Sequence, residues 1–255
     1  MTLPLPPDRG ADLWLLRQPR LGTCTGELDL SELDEAERSR AGTCRREAGR
    51  LLYTSAHIAL RRLLGAYLDT EPRRLRFGRA PCPCCDAAHG RPVLLSPASA
   101  LHFSLSHSNG MALIGVSTVP IGVDVEKVPT GETARVCVPA LHPDERAELG
   151  SGPDGVDTVA FGQLWTRKEA YLKGIGTGLG RDLSADYLGA DSARHPDGWT
   201  VFDVPCGPGH TAAAALGDAS RADLLRVHWI PMDCLYKEDP VPLTKHDTFL
   251  GGLAA

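Results

Sequence analysis

The chain has 255 residues, of which 42% are hydrophobic and 23% charged, as expected for a globular protein long enough to bury a substantial core. Its net charge of −5 argues against a general nucleic-acid binder, because such domains usually carry a basic face. Aromatic residues make up 5%, too few for a surface on which single-stranded bases stack.

No segment of the sequence is typical of export or membrane insertion. The start, MTLPLPPDRG, lacks the basic region and apolar run of a secretory signal. No stretch approaches the roughly 18 apolar residues that a membrane helix needs. We therefore expect a cytoplasmic protein whose eight cysteines are reduced thiols or metal ligands rather than disulfides.

Hydrophobic periodicity predicts helices and strands without regular βαβ alternation, so the predicted fold class is α+β. Residues 11–17 read as a strand. A long helix is predicted over residues 32–64, with Ser31 and Asp34 as an imperfect capping box and Gly65 as its stop. Further strands are predicted at 103–106, 111–117 and 121–128.

Pro120 is a turn signal, and the seam between two halves is placed there: an N-terminal half, residues 1–119, and a C-terminal half, residues 120–255. A long helix is predicted from residue 157 or 158 to Lys173, ended by Gly174 and Gly176. The other predicted elements are a helix start at 142–145, a flexible loop at 150–155, strands at 199–204, 211–216 and 224–230, and a polar, poorly packed tail after Met232.

Two carboxylates stand two residues apart on a predicted strand. Asp124 and Glu126 therefore point to the same face, and Glu169 on the long helix adds a third carboxylate. An all-oxygen site of this kind suits Mg²⁺ bound together with substrate phosphates. Taken alone, Asp-Val-Glu is weak evidence, and a solvated face of an edge strand is its favoured interpretation.

The long helix carries Trp165, Glu169 and Lys173 at intervals of four, so these side chains share one face. The simplest interpretation of that face is a surface Glu–Lys pair, and Lys168 reads most simply as a solvated lysine. The helix is followed by three glycines, where one would be enough to end it: Gly174, Gly176 and Gly178. This excess suggests a tight turn or a close approach of the backbone to a ligand.

Phosphate-binding groups are predicted at two further places. Ser106 and His107 end a strand just before a turn, where hydroxyls and backbone N–H groups suit a phosphate, although a buried, satisfied histidine is an equal alternative. Arg50 on the first long helix and Arg91 in Gly90-Arg91-Pro92 can make bidentate phosphate contacts.

A cysteine-rich loop precedes Arg91. Cys82 and Cys85 have Cys-x-x-Cys spacing, Cys84 lies between them, and His89 follows four residues after Cys85. A structural zinc site needs four ligands, and a second Cys-x-x-Cys pair is missing. Free reduced thiols are the favoured interpretation, with zinc as the alternative.

Three stretches occur together that resemble the Sfp-type 4′-phosphopantetheinyl transferases in order and separation: FSLSHS (103–108), GVDVE (122–126) and WTRKEAYLKGIGTGL (165–179). The family's looser Gly-Lys-Pro stretch appears as Gly90-Arg91-Pro92, where arginine keeps the charge. The resemblance spans roughly residues 30–230, and its motifs are specific jointly rather than singly.

This resemblance implies a fold of two similar α+β halves packed as a pseudo-dimer, with coenzyme A between them, and a monomeric protein. Its implied site residues fall into three groups. Asp124, Glu126 and Glu169 would hold Mg²⁺ on the pyrophosphate, which Lys173 would face; Arg50 and His107 would contact the phosphates, chiefly the 3′-phosphate; and Ser106 and Arg91 would lie near the nucleotide.

The implied reaction converts an apo carrier protein into its holo form, the activity of a holo-[acyl-carrier-protein] synthase. A serine of an acyl- or peptidyl-carrier protein attacks the β-phosphorus of coenzyme A, and adenosine 3′,5′-bisphosphate leaves. Charge on the transferred group is neutralised by Mg²⁺ and Lys173, while Glu169, directly or through a metal-bound water, is the best candidate base. Carriers of fatty-acid, polyketide and nonribosomal-peptide synthesis all qualify.

Two alternatives belong to other functional classes. One is a magnesium-dependent phosphohydrolase or nucleotidyl transferase, which would use the same carboxylates on coenzyme A or a nucleotide without a carrier. The other is a zinc-stabilised binding module built on the cysteine loop. Neither explains why the three motifs occur together.

Overall fold

The computed structural model describes residues 2–18, 27–150, 155–218, 224–236 and the short strand at 248–249. Its helices are α1 (Glu35–Gly42), α2 (Glu47–Leu68), α3 (Gly131–Cys137), α4 (Pro143–Leu149) and α5 (Thr158–Ile175). Its strands are β1 (Ala11–Arg17), β2 (Arg76–Arg79), β3 (Pro92–Ser96), β4 (His102–Ser108), β5 (Met111–Ser117), β6 (Ile121–Lys127), β7 (Trp199–Asp203), β8 (His210–Gly217), β9 (Leu225–Ile230) and β10 (Thr248–Phe249). The predicted α+β class is confirmed.

The strands form two main sheets and one separate hairpin. The larger sheet has the order β10-β9-β1-β5-β4, in which β1 pairs antiparallel with β5 and parallel with β9. The smaller sheet has the order β6-β8-β7 and is antiparallel. Strands β2 and β3 pair with each other as a hairpin. Strand β9 thus comes from the second half of the chain but joins β1, and the division at Pro120 stays a prediction.

The layers follow from alternation of side chains along the strands. On β1, Trp14 and Leu16 face the core beneath α2, whereas Leu13 and Leu15 face the core shared with the smaller sheet. The alanine run of β8 divides in the same way: Ala212 and Ala214 face the larger sheet, and Ala213 and Ala215 face α5. The order of layers is therefore α2, larger sheet, smaller sheet, α5.

Helix α5 lies directly on β6 because a glycine removes the side chain between them. A Cβ at Gly122 would stand 1.9 Å from the carbonyl oxygen of Ala170 and 2.3 Å from the backbone nitrogen of Gly174. Such a separation is impossible for any other residue, so Gly122 fixes the spacing of strand and helix. This contact places the carboxylates of β6 next to the polar face of α5.

The predicted helix over residues 32–64 is wrong as a single element. A 3-10 turn at Leu30–Glu32 precedes α1, and α1 and α2 are separated by residues 43–46. The capping box pairs Asp34 with Glu37, not Ser31 with Asp34. Glu37 is the N3 residue, the position at which a carboxylate reaches back to the cap nitrogen.

Two predicted helix stops, at Gly65 and at Gly174, are also wrong, whereas the stop at Gly176 is confirmed. Helix α2 continues past Gly65 to a left-handed cap at Asp69 (φ 49°), and a Cβ at Gly65 would stand 2.5 Å from the carbonyl oxygen of Thr70. Helix α5 includes Gly174 and ends at Gly176, whose φ of 85° suits the left-handed cap. At both internal positions the glycine provides close packing rather than a stop.

The chain after Met232 was predicted to pack poorly, and its first part is instead ordered. Cys234 and Leu235 lie in a 3-10 turn and are buried in the core beneath α2. Residues 237–247 and 250–255 lie outside the described residues, as do residues 151–154 of the predicted loop. None of the described helices is long and apolar enough to cross a membrane.

Candidate active site

A cavity of about 990 Å³ opens between α2, the β2–β3 hairpin, β4 and the end of α5. This volume lies near the upper end of the range of roughly 300–1,000 Å³ for small-molecule sites. Five of the predicted site residues line it: Arg91, Ser106, His107, Glu126 and Lys173. Asp124 and Glu169 lie beside it, and Arg50 is an exposed residue on α2 that does not contribute to its described wall.

Asp124 is the buried centre of the acidic cluster, with 1% of its surface exposed. Its Oδ1 accepts hydrogen bonds from Lys173 Nζ at 2.6 Å and from Ser106 Oγ at 2.7 Å. Its Oδ2 is buried and has no hydrogen-bond partner among the residues that the structure describes. A buried carboxylate oxygen without a partner carries a large desolvation cost, which a cation would offset.

Burial and nearby negative charge raise the pKa values of the other two carboxylates of the cluster. Burial, with the nearby charge of Asp124, raises the pKa of Glu169 above its ordinary value. Burial likewise raises the pKa of Glu126, although Ser108 donates a hydrogen bond to it. Desolvation and like charges both favour the neutral acid, so a divalent cation is the natural counter-charge.

The structure does not bring these carboxylates to one point. Among the described residues, three ligand atoms lie within 4.8 Å of one another in the group of Cys82, Cys85 and His89, and the three carboxylates form no such group. The ammonium of Lys173 instead contacts Asp124. The predicted metal-binding roles of Asp124, Glu126 and Glu169 therefore stay predictions, although their donor chemistry fits a hard cation.

The β2–β3 hairpin gives the cavity a basic wall. Arg79, the last residue of β2, and Arg91, just before β3, both line it. Gly176, with its positive φ, places the end of α5 against the backbone of Arg91, because a Cβ there would stand 3.5 Å from the Arg91 nitrogen. A cavity with guanidinium groups in its wall and the carboxylates of the acidic cluster beside it suits a phosphorylated ligand with a bound cation.

His107 stands exposed at the end of β4, so the buried alternative is wrong. Its ring meets the ring of Tyr53 edge-on, with centroids 5.8 Å apart. Partial burial and the charges of His57 and Lys173 lower its pKa. The imidazole is therefore neutral near pH 7 in the free protein and able to gain a proton when a phosphate arrives.

Sequence reasoning missed the wall that α2 contributes. Tyr53 and His57, four residues apart on one helix face, both line the cavity and stack with centroids 4.1 Å apart. Burial raises the pKa of Tyr53 to about 12, so its hydroxyl stays protonated. The signal was present as an i, i+4 aromatic–histidine pair one turn after Arg50.

Beneath that wall lies a buried ionic network. The guanidinium of Arg61 is fully buried and donates to Glu37 Oε2 at 2.7 Å and to Asp34 Oδ2 at 2.8 Å. Its remaining N–H groups reach the carbonyl oxygens of Pro72 and Leu75, each at 3.1 Å. The network joins α1, α2 and the segment leading into β2, and so holds the cavity wall in place.

The network predicts an acid-dependent stability. Burial alone would raise the pKa of Glu37, but hydrogen bonds from His57 and the backbone of Asp34, with the charge of Arg61, lower it below its ordinary value of 4.5. A depressed carboxyl pKa contributes stability above the unfolded pKa and loses it as pH falls through the folded pKa. Glu37→Gln should therefore cost about 1–3 kcal/mol at pH 7, and the difference from wild type should shrink below pH 4.5.

Urea unfolding across this pH range measures the effect, with the exposed Glu132→Gln on α3 as the matched charge-removal control. Glu132→Gln should leave the free energy of unfolding within about 0.5 kcal/mol of wild type. A Glu37→Gln cost that stays constant from neutral pH to well below pH 4.5 would contradict the ionic origin of the stability.

Lys168 was expected to be solvated, and this expectation is wrong. Its side chain is 2% exposed and its Nζ lies 2.8 Å from Glu145 Oε1, which is fully buried. It also donates to the carbonyl oxygens of Leu183 at 2.8 Å and Asp186 at 2.7 Å. The lysine therefore joins α5 to α4 and to the loop after α5, on the side of the helix away from the cavity.

Comparison with known proteins places this geometry in a family. Residues 120–201 match the model of the 4′-phosphopantetheinyl transferase superfamily. The chain is 31% identical over 188 residues to the 4′-phosphopantetheinyl transferase HetI of Nostoc sp., covering 66% of this chain and 76% of that relative. A putative 4′-phosphopantetheinyl transferase of Synechocystis sp. is 30% identical over 178 residues, covering 67% and 70%. Sfp of Bacillus subtilis is 26% identical over 149 residues, covering 58% and 64%.

The α+β fold, the acidic cluster and the basic cavity beside it define an enzyme that transfers a phosphorylated group. The chain belongs to the Sfp-type 4′-phosphopantetheinyl transferase family. Its activity is the transfer of phosphopantetheine from coenzyme A to a carrier protein. The matched residues 120–201 include β6 and α5, the two elements that carry all three carboxylates.

Proposed function

We propose that this enzyme activates acyl- or peptidyl-carrier proteins in a Mg²⁺-dependent reaction, with coenzyme A in the 990 Å³ cavity. The observation that carries the proposal is the buried Oδ2 of Asp124, which has no hydrogen-bond partner among the described residues and lies near Glu126 and Glu169, beside a cavity that Arg79 and Arg91 also line. Cytoplasmic localisation, a monomeric state and the absence of nucleic-acid partners stay predictions from the sequence.

In this proposal Asp124, Glu126 and Glu169 hold the metal ion. Mg²⁺ would neutralise charge on the pyrophosphate of coenzyme A when bound. Their carboxylate oxygens would supply the hard ligands that Mg²⁺ prefers. A cation there would provide the counter-charge that favours the ionised form of both glutamates, whose pKa burial raises with a contribution from Asp124.

The remaining cavity residues bind and orient the substrate. Arg91 and Arg79 bind phosphate oxygens, and His107, protonated on contact with a phosphate, adds a third cation. Ser106, near the nucleotide, holds both Asp124 and Lys173 through its hydroxyl. The exposed Arg50 lies one turn before Tyr53 on α2 and reaches the 3′-phosphate from the cavity rim.

The chemical step moves one proton and exchanges one P–O bond. The carrier serine oxygen attacks the β-phosphorus, the bond to the bridging oxygen breaks, and adenosine 3′,5′-bisphosphate leaves. In this proposal Glu169, ionised when a cation supplies its counter-charge, accepts the serine proton as the general base. Lys173 neutralises the charge that develops on the pyrophosphate oxygens.

The test is the intact mass of recombinant apo-carrier domains after incubation with the enzyme, coenzyme A and Mg²⁺. A panel of fatty-acid, polyketide and peptidyl carriers identifies the preferred class, and each carrier with its serine replaced by alanine is the control. We expect a gain of one phosphopantetheine unit that EDTA abolishes and added Mg²⁺ restores. Release of phosphopantetheine without carrier modification would favour the phosphohydrolase instead.

A further inference from the structure

The loop that joins β2 to β3 brings three soft metal ligands together. One ligand atom each of Cys82, Cys85 and His89 lies within 4.8 Å of the others, and Cys85 Sγ is 3.0 Å from His89 Nε2. Ligand atoms around a tetrahedral zinc ion, with bonds of about 2.0–2.3 Å, lie roughly 3.5 Å apart. Only small side-chain shifts separate the observed group from that geometry.

The backbone of this loop is already folded into a tight turn around Cys82. The Cys82 carbonyl accepts from the N–H groups of Asp86 at 2.8 Å and Cys85 at 3.3 Å, and the Cys82 N–H donates to Ala87 at 2.8 Å. Asp86, next after the Cys-x-x-Cys, has a φ of 58°, the left-handed conformation that reverses the chain.

Apolar packing does not explain why the loop between β2 and β3 adopts this defined turn. Between Pro81 and Gly90 every side chain except Cys82 is exposed, so the loop has no apolar core of its own. The hairpin that carries it also pairs with neither of the two main sheets. Small units without a core are typically stabilised by disulfides or metal ions, and all three described cysteines of this loop are free thiols.

We propose that Cys82, Cys85 and His89 bind a zinc ion through three protein ligands, with a water molecule in the fourth position. Two thiolates and an imidazole suit zinc, whereas the carboxylates of the acidic cluster suit Mg²⁺, so the two sites select different metals. The Cys84 sulfur lies outside the ligand group. This proposal does not rest on the proposed function, because metal content is measured without carrier or coenzyme A.

The zinc ion would act on the cavity through His89. This residue lines the cavity, and the two residues after it, Gly90 and Arg91, line the same wall. Both ends of the loop are held together, since the Gly90 N–H donates to Ala80 and the Ala80 N–H donates to Arg91, each at 3.0 Å. A metal ion bound to His89 therefore fixes the loop that presents Arg91 to the substrate.

The experiment measures metal content of the full chain, produced with zinc in the medium and purified under reducing conditions without chelator. Elemental mass spectrometry should find one zinc ion per chain in wild type and none in Cys85→Ser or His89→Ala. The matched control Cys137→Ser, which removes a thiol outside the loop, should keep its zinc, and so should Glu169→Gln. Both exposed ligand positions tolerate substitution without a packing cost.

A second readout links the metal to the cavity. Cys85→Ser should raise KM for coenzyme A roughly tenfold, the loss expected when one charge-assisted contact is no longer held in place, with kcat within twofold. Wild type without zinc, a Cys82–Cys85 disulfide in the intact mass, or equal zinc in wild type and Cys85→Ser would each overturn the proposal.

Discussion

The substitution Glu169→Gln is expected to lower kcat by at least roughly 10²–10⁴-fold, the range for loss of a general base. Glutamine keeps the shape of the side chain but cannot accept the serine proton, and it is a weaker ligand for a divalent cation. Because the proposed contacts with coenzyme A come mainly from the basic wall, KM for coenzyme A should change much less than kcat. Steady-state kinetics by carrier mass gain measure both constants.

The same substitution should not destabilise the metal-free protein. Burial and the charge of Asp124 raise the pKa of Glu169, so its ionised form is disfavoured in the folded state. A raised carboxyl pKa means that native stability is lost as pH rises through the folded value, and a neutral glutamine avoids that loss. Urea unfolding with EDTA at pH 7 should show Glu169→Gln at least as stable as wild type, and the difference should fade as pH falls.

A variant with lower kcat but equal or higher free energy of unfolding has lost a reacting group, not a structural one. Glu132→Gln on α3 removes an exposed carboxylate and should change neither quantity. Near-normal turnover in Glu169→Gln would contradict the proposed role of Glu169 as the general base. A variant that loses activity together with several kcal/mol of stability would assign Glu169 to the fold instead.

Local spacing was sufficient to predict which side chains share a face within β6 and within α5. The period of two along β6 puts Asp124 and Glu126 on one face, and the period of four along α5 aligns Glu169 with Lys173. What spacing could not show is that these two faces meet. That depends on Gly122, which reads in the sequence as a weak point of a strand and acts as the contact point for α5.

Sequence analysis missed the features that depend on residues far apart in the sequence. Arg61 looks like one of many solvated arginines on a basic helix, and its burial is set by Asp34 and Glu37 on α1. The break between α1 and α2 has the same origin, because α1 must turn for its capping residues to reach Arg61. Neither partner lies within the four-residue window in which helical periodicity is informative.

Lys168 is also a charged side chain whose burial depends on partners distant in the sequence. The substitution Lys168→Met should lower the free energy of unfolding by about 3–5 kcal/mol. Burial lowers the pKa of the Lys168 ammonium even though Glu145 opposes the shift, so the charged pair is held at a desolvation cost. Removal of the lysine leaves the fully buried Glu145 carboxylate without its counter-ion and two carbonyl oxygens without a donor. Urea unfolding at pH 7 measures the loss.

Two comparisons isolate the buried pair. Lys127→Met at the exposed end of β6 removes the same functional group and should cost less than about 0.5 kcal/mol. Adding Glu145→Gln to Lys168→Met should recover part of the stability, because the unpaired buried charge is removed. Recovery should be incomplete, since Glu145 also accepts backbone hydrogen bonds from His142 at 2.9 Å and Leu188 at 2.6 Å.

Measurement of kcat then distinguishes the roles of Lys168 and Glu169. Lys168 and Glu169 are adjacent on α5, yet Lys168 bonds toward α4 and the loop after α5, while Glu169 faces the acidic cluster. Lys168→Met should therefore keep kcat within about tenfold when assayed well below its melting temperature, with the loss confined to stability. A cost below about 1 kcal/mol would instead be that of a surface ion pair and would contradict the burial of Lys168. A loss of kcat as deep as that of Glu169→Gln would mean that the ammonium acts on the substrate, which its 2% exposure and its two carbonyl partners oppose.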